Sequence, residues 1–138
     1  MKDHRTEMKL YYNSTKMEDR EVLAYAESLK HLVINEKDIS RDIFTETQLK
    51  ELANDMNTDL MGLIDKNDSL YMDKMQHDNY SEEELLKIMR KNPSVIKTPI
   101  AKVDKHVYHV KSHYELIPED LDIKGIVNRK GNSSERSE

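Results

Sequence analysis

The stretch LYYNSTKMEDREVL, residues 10–23, limits the fold more than any other feature of the 138-residue chain. Leu10, Tyr11 and Tyr12 are strand formers, and Asn13, Ser14 and Thr15 favour turns and helix caps. From Glu18 onward Val22, Ala26 and Leu29 recur at i, i+4 and i+7, the spacing of one helix face. A strand running straight into a helix N-terminus is a common place for a nucleophile or an anion cradle. The turn here offers Lys16, which makes Asn13, Ser14, Thr15 and Lys16 the candidate anion-binding residues.

The absence of cysteine excludes disulfides, thiolate chemistry and thiolate-ligated metals. A net charge of −5, with both signs interspersed, argues against direct nucleic-acid binding, which needs a basic face. The N-terminal MKDHRTE lacks an apolar signal core, and no apolar run approaches the roughly 20 residues of a membrane helix. A cytoplasmic protein with no membrane partner is expected. One domain is expected at this length, with residues 1–6 as a flexible arm, 7–123 as the folded unit and 124–138 as a disordered, polar tail.

Within the folded unit the reading is β-α-β, then helices, then β-β-α. The first strand covers about Glu7 to Tyr12, and HLVIN (residues 31–35) is the second, followed by the connection KDISRDIF. Thr45 with Gln48 forms a capping box ahead of Leu49, Leu52, Ala53 and Met56, and Thr58 can cap a short helix that buries Leu60, Leu63 and Ile64. NDSLYMDKMQHDN (residues 67–79) reads as helical. Ser81 and Glu84 form a second capping box, with Leu85, Leu86, Ile88 and Met89 behind it, and Asn92-Pro93 closes that helix. Strands at about 100–103 and 107–110 flank a tight Asp104-Lys105 turn, and a last short helix begins near Ser112. The expected fold is α+β: a thioredoxin-like four-stranded mixed sheet flanked by helices, with a helical insert between the second and third strands.

Two stretches carry a family resemblance. LYYNSTKMEDREVL resembles the strand–turn–helix of the glutaredoxin-coupled arsenate reductases and of the related transcription regulator Spx. NPSVIKTPI, residues 92–100, is similar to the family segment that leads from a helix-ending Asn-Pro or His-Pro to Arg-Pro-Ile. MNTDLMGLIDKNDSLY sits where that family has a stretch ending in Arg-Lys-Asn or a close variant, and the likeness spans about residues 8–121. The resemblance implies that the family's first cysteine falls on Lys16 and the second cysteine of the Spx-type pair on Asp19. An active-site arginine falls on Asp65 and the arginine before the cis-proline on Thr98, whereas Pro99 and Arg20 are kept. These six positions form a vestigial active site with no catalytic residue and no cofactor. Arsenate reduction requires a thiolate adduct, so a non-catalytic protein that acts by binding another protein is expected, with RNA polymerase the most concrete partner because Spx-like proteins bind it.

The residues admit other chemistries. Tyr11, Tyr12, Ser14 or Thr15 could activate glutathione or another small thiol in an enzyme of the same fold, but strand packing and turn formation explain them. His106 and His109 lie on opposite faces of a strand, so no convergent metal set is expected. DKNDSL (residues 65–70) lacks the glycine and terminal glutamate of an EF-hand loop. The methionines Met56, Met61, Met72, Met75 and Met89 read as packing in the helical insert. Two geometric expectations follow from the resemblance: a cis peptide at Thr98-Pro99, and Lys16 within about 8 Å of Asp65, or failing that near Asp19, because the charges are exchanged while the pairing is kept.

Overall fold

The computed structural model describes residues 5–118 and 121. Strand β1 (Thr6–Tyr12) turns over Asn13–Lys16 into helix α1 (Met17–Glu27), which returns to strand β2 (Leu32–Asp38). Helices α2 (Glu46–Asp55) and α3 (Glu82–Lys91) follow, and strands β3 (Ile100–Val103) and β4 (His106–His109) form the closing hairpin. The sheet order is β2-β1-β3-β4, with β1 parallel to β2 and antiparallel to β3, and β3 antiparallel to β4. This is the expected four-stranded mixed sheet flanked by helices. Among the described residues no helix is long and apolar enough to cross a membrane.

Alternation along β1 divides the core. Met8 and Leu10 are fully buried against Val22 and Ala26 of α1, together with Ala101, Val103, Leu116 and Ile117. The other sheet face meets α2 and α3 through Leu49, Leu52, Leu85, Met89, Val95, Ile96 and Ile100. Both capping boxes form in full. Thr45 and Ser81 each accept the N–H three residues on, and the side chains of Gln48 and Glu84 reach back to the cap N–H groups. The helix ahead of Asn92-Pro93 stops at Lys91 as expected, and Thr98-Pro99 is cis.

Several elements differ from the sequence reading. Strand β2 extends to Asp38, beyond Asn35, because its register with β1 continues to Tyr12↔Asp38; as an edge strand it tolerates the charged residues Glu36, Lys37 and Asp38. The turn at Leu60–Leu63 is a 3₁₀ helix capped by Asp59, not Thr58, since the Asp59 carboxylate accepts the Gly62 N–H at 3.2 Å. Thr58 instead packs directly over Gly62, where any Cβ would collide with it. The helix expected over residues 67–79 contracts to a π-helical turn at Tyr71–Met75. Before it, the Asp65 carboxylate takes the Asn67 N–H and the Asp68 carboxylate takes the Leu70 N–H, local bonds that compete with a longer helix. Of the methionines in and around this insert, Met75 and Met89 are buried while Met72 is 52% exposed.

The second hairpin strand begins at His106, one residue earlier than expected, because Val103 pairs with His106 across the two-residue turn. Asp104 adopts φ 54° there, a left-handed conformation that Asp tolerates well. The last helix is a 3₁₀ turn at His113–Glu115 capped by Ser112. Of the expected arm, Thr6 already belongs to β1, residues 1–4 lie outside the described residues, and so does the whole of the expected 124–138 tail.

Candidate functional site

Where β1 meets α1, short polar side chains tie the turn to its surroundings. Asn13 is buried, and its Oδ1 accepts the Thr15 N–H at 2.9 Å and the Thr15 hydroxyl at 2.6 Å. The Asn13 N–H donates to Asp19 Oδ2 at 2.8 Å, and the Lys16 N–H donates to the Asn13 carbonyl at 3.0 Å. Ser14 donates its N–H to Asp38 Oδ1 at 3.1 Å, across from β2. All four backbone donors of the Asn13–Lys16 turn therefore have internal acceptors. An anion at this turn would have to displace one of them or bind through the side chains alone.

Asp38 anchors the turn from the end of β2. Its Oδ1 also accepts the Ser40 N–H at 3.1 Å and the Ser40 hydroxyl at 2.8 Å. Partial burial opposes the charge, but the hydrogen bonds from Ser14 and Ser40 prevail and hold the carboxyl down at about 2. Nothing about Asp38 stood out in the sequence, where it read as connecting chain. Its spacing to Ser40, an Asx-type turn, was the available signal.

Asp19 is the other buried polar residue, 2% exposed in the first turn of α1. Besides the Asn13 N–H, its Oδ2 accepts the Thr98 hydroxyl at 2.5 Å. Burial pushes this carboxyl above the usual range, opposed by the Thr98 and Asn13 hydrogen bonds and by the Lys16 charge. Through Asp19, the β1–α1 turn is bonded to the residue that precedes Pro99.

Lys16 is the N-cap residue of α1 and makes no side-chain cap bond. A cation there faces the positive end of the helix dipole, so its ammonium gains from compensation elsewhere. It finds this across the molecule: Nζ lies 3.3 Å from the Ile96 carbonyl and 3.6 Å from Asp65 Oδ2. The expected proximity to Asp65 is present, well inside 8 Å. The other Asp65 oxygen accepts the Asn67 N–H at 3.0 Å.

The structure thus brings Lys16, Asp19, Asp65, Thr98 and Pro99 to one end of the sheet. Arg20 stands at the rim, where Nη1 donates to the Ser14 carbonyl at 2.8 Å in an exposed contact. The hydroxyls considered for thiol activation are engaged elsewhere: Ser14 with Ser40 at 3.3 Å, Thr15 with Asn13, and Tyr12 with Glu36 at 3.3 Å. Tyr11 packs against Phe44 on the α2 side of the sheet. Among the described residues no group of three or more His, Asp or Glu side chains is placed to hold a metal ion.

A cleft of about 440 Å³ borders the pair, lined by Asp59, Met61, Asp65, Lys66, Asn67 and Lys97 among others. His109 of β4 lies near it, and the sequence reading missed this. Its Nε2 is buried without a partner among the described residues, and burial, with the Lys97 charge second, lowers its pKa to about 4 against the pull of a Lys97 backbone bond and the Asp65 charge. Chemically the assembly offers paired charges and satisfied donors, with no nucleophilic sulfur.

No family model matches the chain, and no curated protein matches it significantly. Solved structures do. An arsenate reductase from Vibrio cholerae superposes with a TM-score of 0.65 at 20% identity, covering 76% of this chain and 90% of the other. The fold is that of the arsenate reductases. A Yersinia pestis protein provisionally assigned as an arsenate reductase gives 0.64 at 23% identity, over 74% and 90% of the two chains. A Streptococcus mutans protein with a similarly provisional assignment gives 0.61 at 17% identity, over 86% and 100%. At these identities the likeness establishes the thioredoxin-like architecture and leaves activity to the residues themselves.

Proposed function

We propose that this chain is a non-catalytic protein of arsenate reductase-like fold that acts by binding another protein, with RNA polymerase as the most concrete partner and the cytoplasm as its setting. The observation that carries this reading is the state of Lys16. The resemblance puts the family's nucleophilic cysteine at this position, and here a lysine ammonium is paired with Asp65 and with the Ile96 carbonyl. Asp65 and Thr98 stand where the resemblance puts arginines, so an oxyanion would meet a carboxylate and a hydroxyl in place of two guanidinium groups. A carboxylate disfavours an oxyanion, and a hydroxyl cannot supply the bidentate charge-assisted bonds of arginine. The Spx side of the resemblance supplies the candidate partner. Retention of purified RNA polymerase on the immobilised protein at micromolar concentration is the expected result. No retention removes the polymerase version and leaves the general protein-binding role.

A further inference from the structure

The sheet face that carries Tyr11 packs against the α2 and α3 cluster through Ile100 and Val107. On the same face Lys9 and Lys102 stand directly opposite each other across the antiparallel β1–β3 pair. Like charges in that relation repel and destabilise a sheet. Neither lysine has an ion pair among the described residues, and Lys102 is exposed. Lys37, the β2 register partner of Tyr11, extends the positive surface, and Arg41 follows it. Their acidic contacts are weak surface pairs: Lys37 with Asp42 at 3.7 Å and Arg41 with Asp38 at 3.8 Å, the Arg41 side chain being 85% exposed. This concentration of positive charge runs against a chain whose net charge is −5. Alternation places Glu36 on the opposite face, so among its strand neighbours Lys37 gains no carboxylate there and its pair is the exposed Asp42.

A cleft of mixed lining adjoins the lysines, with Lys37, Arg41 and Asp42 on its walls beside the apolar residues. Tyr11 lies against Phe44, with ring centroids 5.1 Å apart, and with Ile43 and Gln48 they line a cleft of about 280 Å³. Ile43 is 39% exposed at this cleft. We propose that this face docks an acidic segment of a partner protein, whose carboxylates meet Lys9, Lys37, Arg41 and Lys102 while one apolar side chain enters the cleft against Tyr11, Phe44 and Ile43.

Charge complementarity selects an acidic ligand, and two details select peptide over nucleic acid. Base stacking needs an open aromatic face, whereas the Tyr11 ring packs on Phe44 and has Lys9 Nζ above it at 5.8 Å. Asp42 lines the cleft and the Glu51 charge also reaches the Tyr11 phenol, so a continuous phosphate backbone would meet like charge, whereas a peptide can space its carboxylates around them. The lysine–lysine repulsion is then relieved when the partner arrives.

This surface deepens the protein-binding reading and rests on it for its biological partner, but its test is separate. Fluorescence anisotropy with a labelled short peptide of Glu-Glu-Leu repeats should give saturable, salt-sensitive binding to the intact protein. The matching Lys-Lys-Leu peptide and a thymidine oligonucleotide should bind far more weakly. Lys9→Glu/Lys102→Glu should weaken the acidic peptide about tenfold. Lys9→Gln/Lys102→Gln, which relieves the repulsion, should lose affinity while gaining thermal stability, a combination that loss of fold cannot imitate. Absent acidic-peptide binding, unchanged affinity in both variants, or preferred oligonucleotide binding through the same lysines would overturn the assignment. Polymerase retained equally by wild type and both variants would also overturn this face while sparing the protein-binding role. Acidic-peptide binding lost in the variants, without polymerase retention, supports the face and removes only the polymerase version.

Discussion

At the Asn13–Lys16 turn every backbone N–H has an internal acceptor, and the charged side chains around it are matched: Lys16 with Asp65, Asp38 with Ser14 and Ser40, Asp19 with Asn13 and Thr98. On the sheet face beside Tyr11 two lysines oppose each other with no carboxylate paired to either among the described residues. The polar groups of the first region fasten β1, α1, β2 and the Pro99 segment together. In the second, Lys9 and Lys102 carry charges that no carboxylate among the described residues neutralises, although Lys9 lies 5.8 Å from the Tyr11 ring. Polar groups already bonded to one another resist a ligand because binding must break those bonds first. Unpaired charge on an exposed face has the opposite property, and so the two regions of one sheet differ in how readily they would admit a ligand.

The largest expected effect lies in the closed region. Asp19→Ala leaves the Asn13 N–H and the Thr98 hydroxyl without their acceptor, and urea unfolding should show a loss of about 2–3 kcal/mol. A loss well under 1 kcal/mol would break the contrast, since the turn would then owe little to its hydrogen bonds.

His109 gives the next effect through pH. Its folded pKa of about 4 lies below the ordinary 6.5, so the unfolded ring takes up a proton first as the solution is acidified. The stability associated with its neutral form is whole above pH 6.5 and drains away as pH falls toward about 4. Allowing for the part of the ring that faces solvent, the loss is roughly 2 kcal/mol, and His109→Gln should flatten the wild-type slope across that window. Equal slopes in the two proteins would show that the ring is freely solvated.

A double-mutant cycle of Lys16→Met and Asp65→Asn should return a coupling of about 0.5 kcal/mol, the value of a partly exposed pair. A zero coupling would leave Lys16 available to an anion and weaken the contrast from that side. Smallest of all, Lys9→Gln/Lys102→Gln should raise stability by about 0.3 kcal/mol, by relief of cross-strand repulsion. A destabilised variant would mean that the lysines already have partners in the folded chain.

How much of this could be read in advance depended on distance along the chain. The capping boxes at Thr45 and Ser81, the stop at Asn92-Pro93 and the Asp104-Lys105 hairpin turn are encoded within a few residues, and they appear as read. Lys37 and Asp38 could not be assigned to a strand, because their place in β2 comes from a parallel register with Tyr11 and Tyr12 that no local pattern expresses. The same holds for Asp38 as the anchor of Ser14, 24 residues away, and for Lys9 facing Lys102. The π-helical turn at Tyr71–Met75 was hidden because Asp65 and Asp68 have the same composition whether they extend a helix or cap a turn. The Lys16–Asp65 contact was foreseen only through the family resemblance, since periodicity cannot place residues 49 positions apart.

The non-catalytic role is tested most directly by a steady-state assay of arsenate reduction, with glutathione and glutaredoxin supplied and a heat-killed sample as control. With Lys16 held by Asp65 and no thiol in the chain, the rate should equal that of the control. Turnover above the control that Lys16→Met abolishes would contradict the account and return the Asn13–Lys16 turn to catalysis.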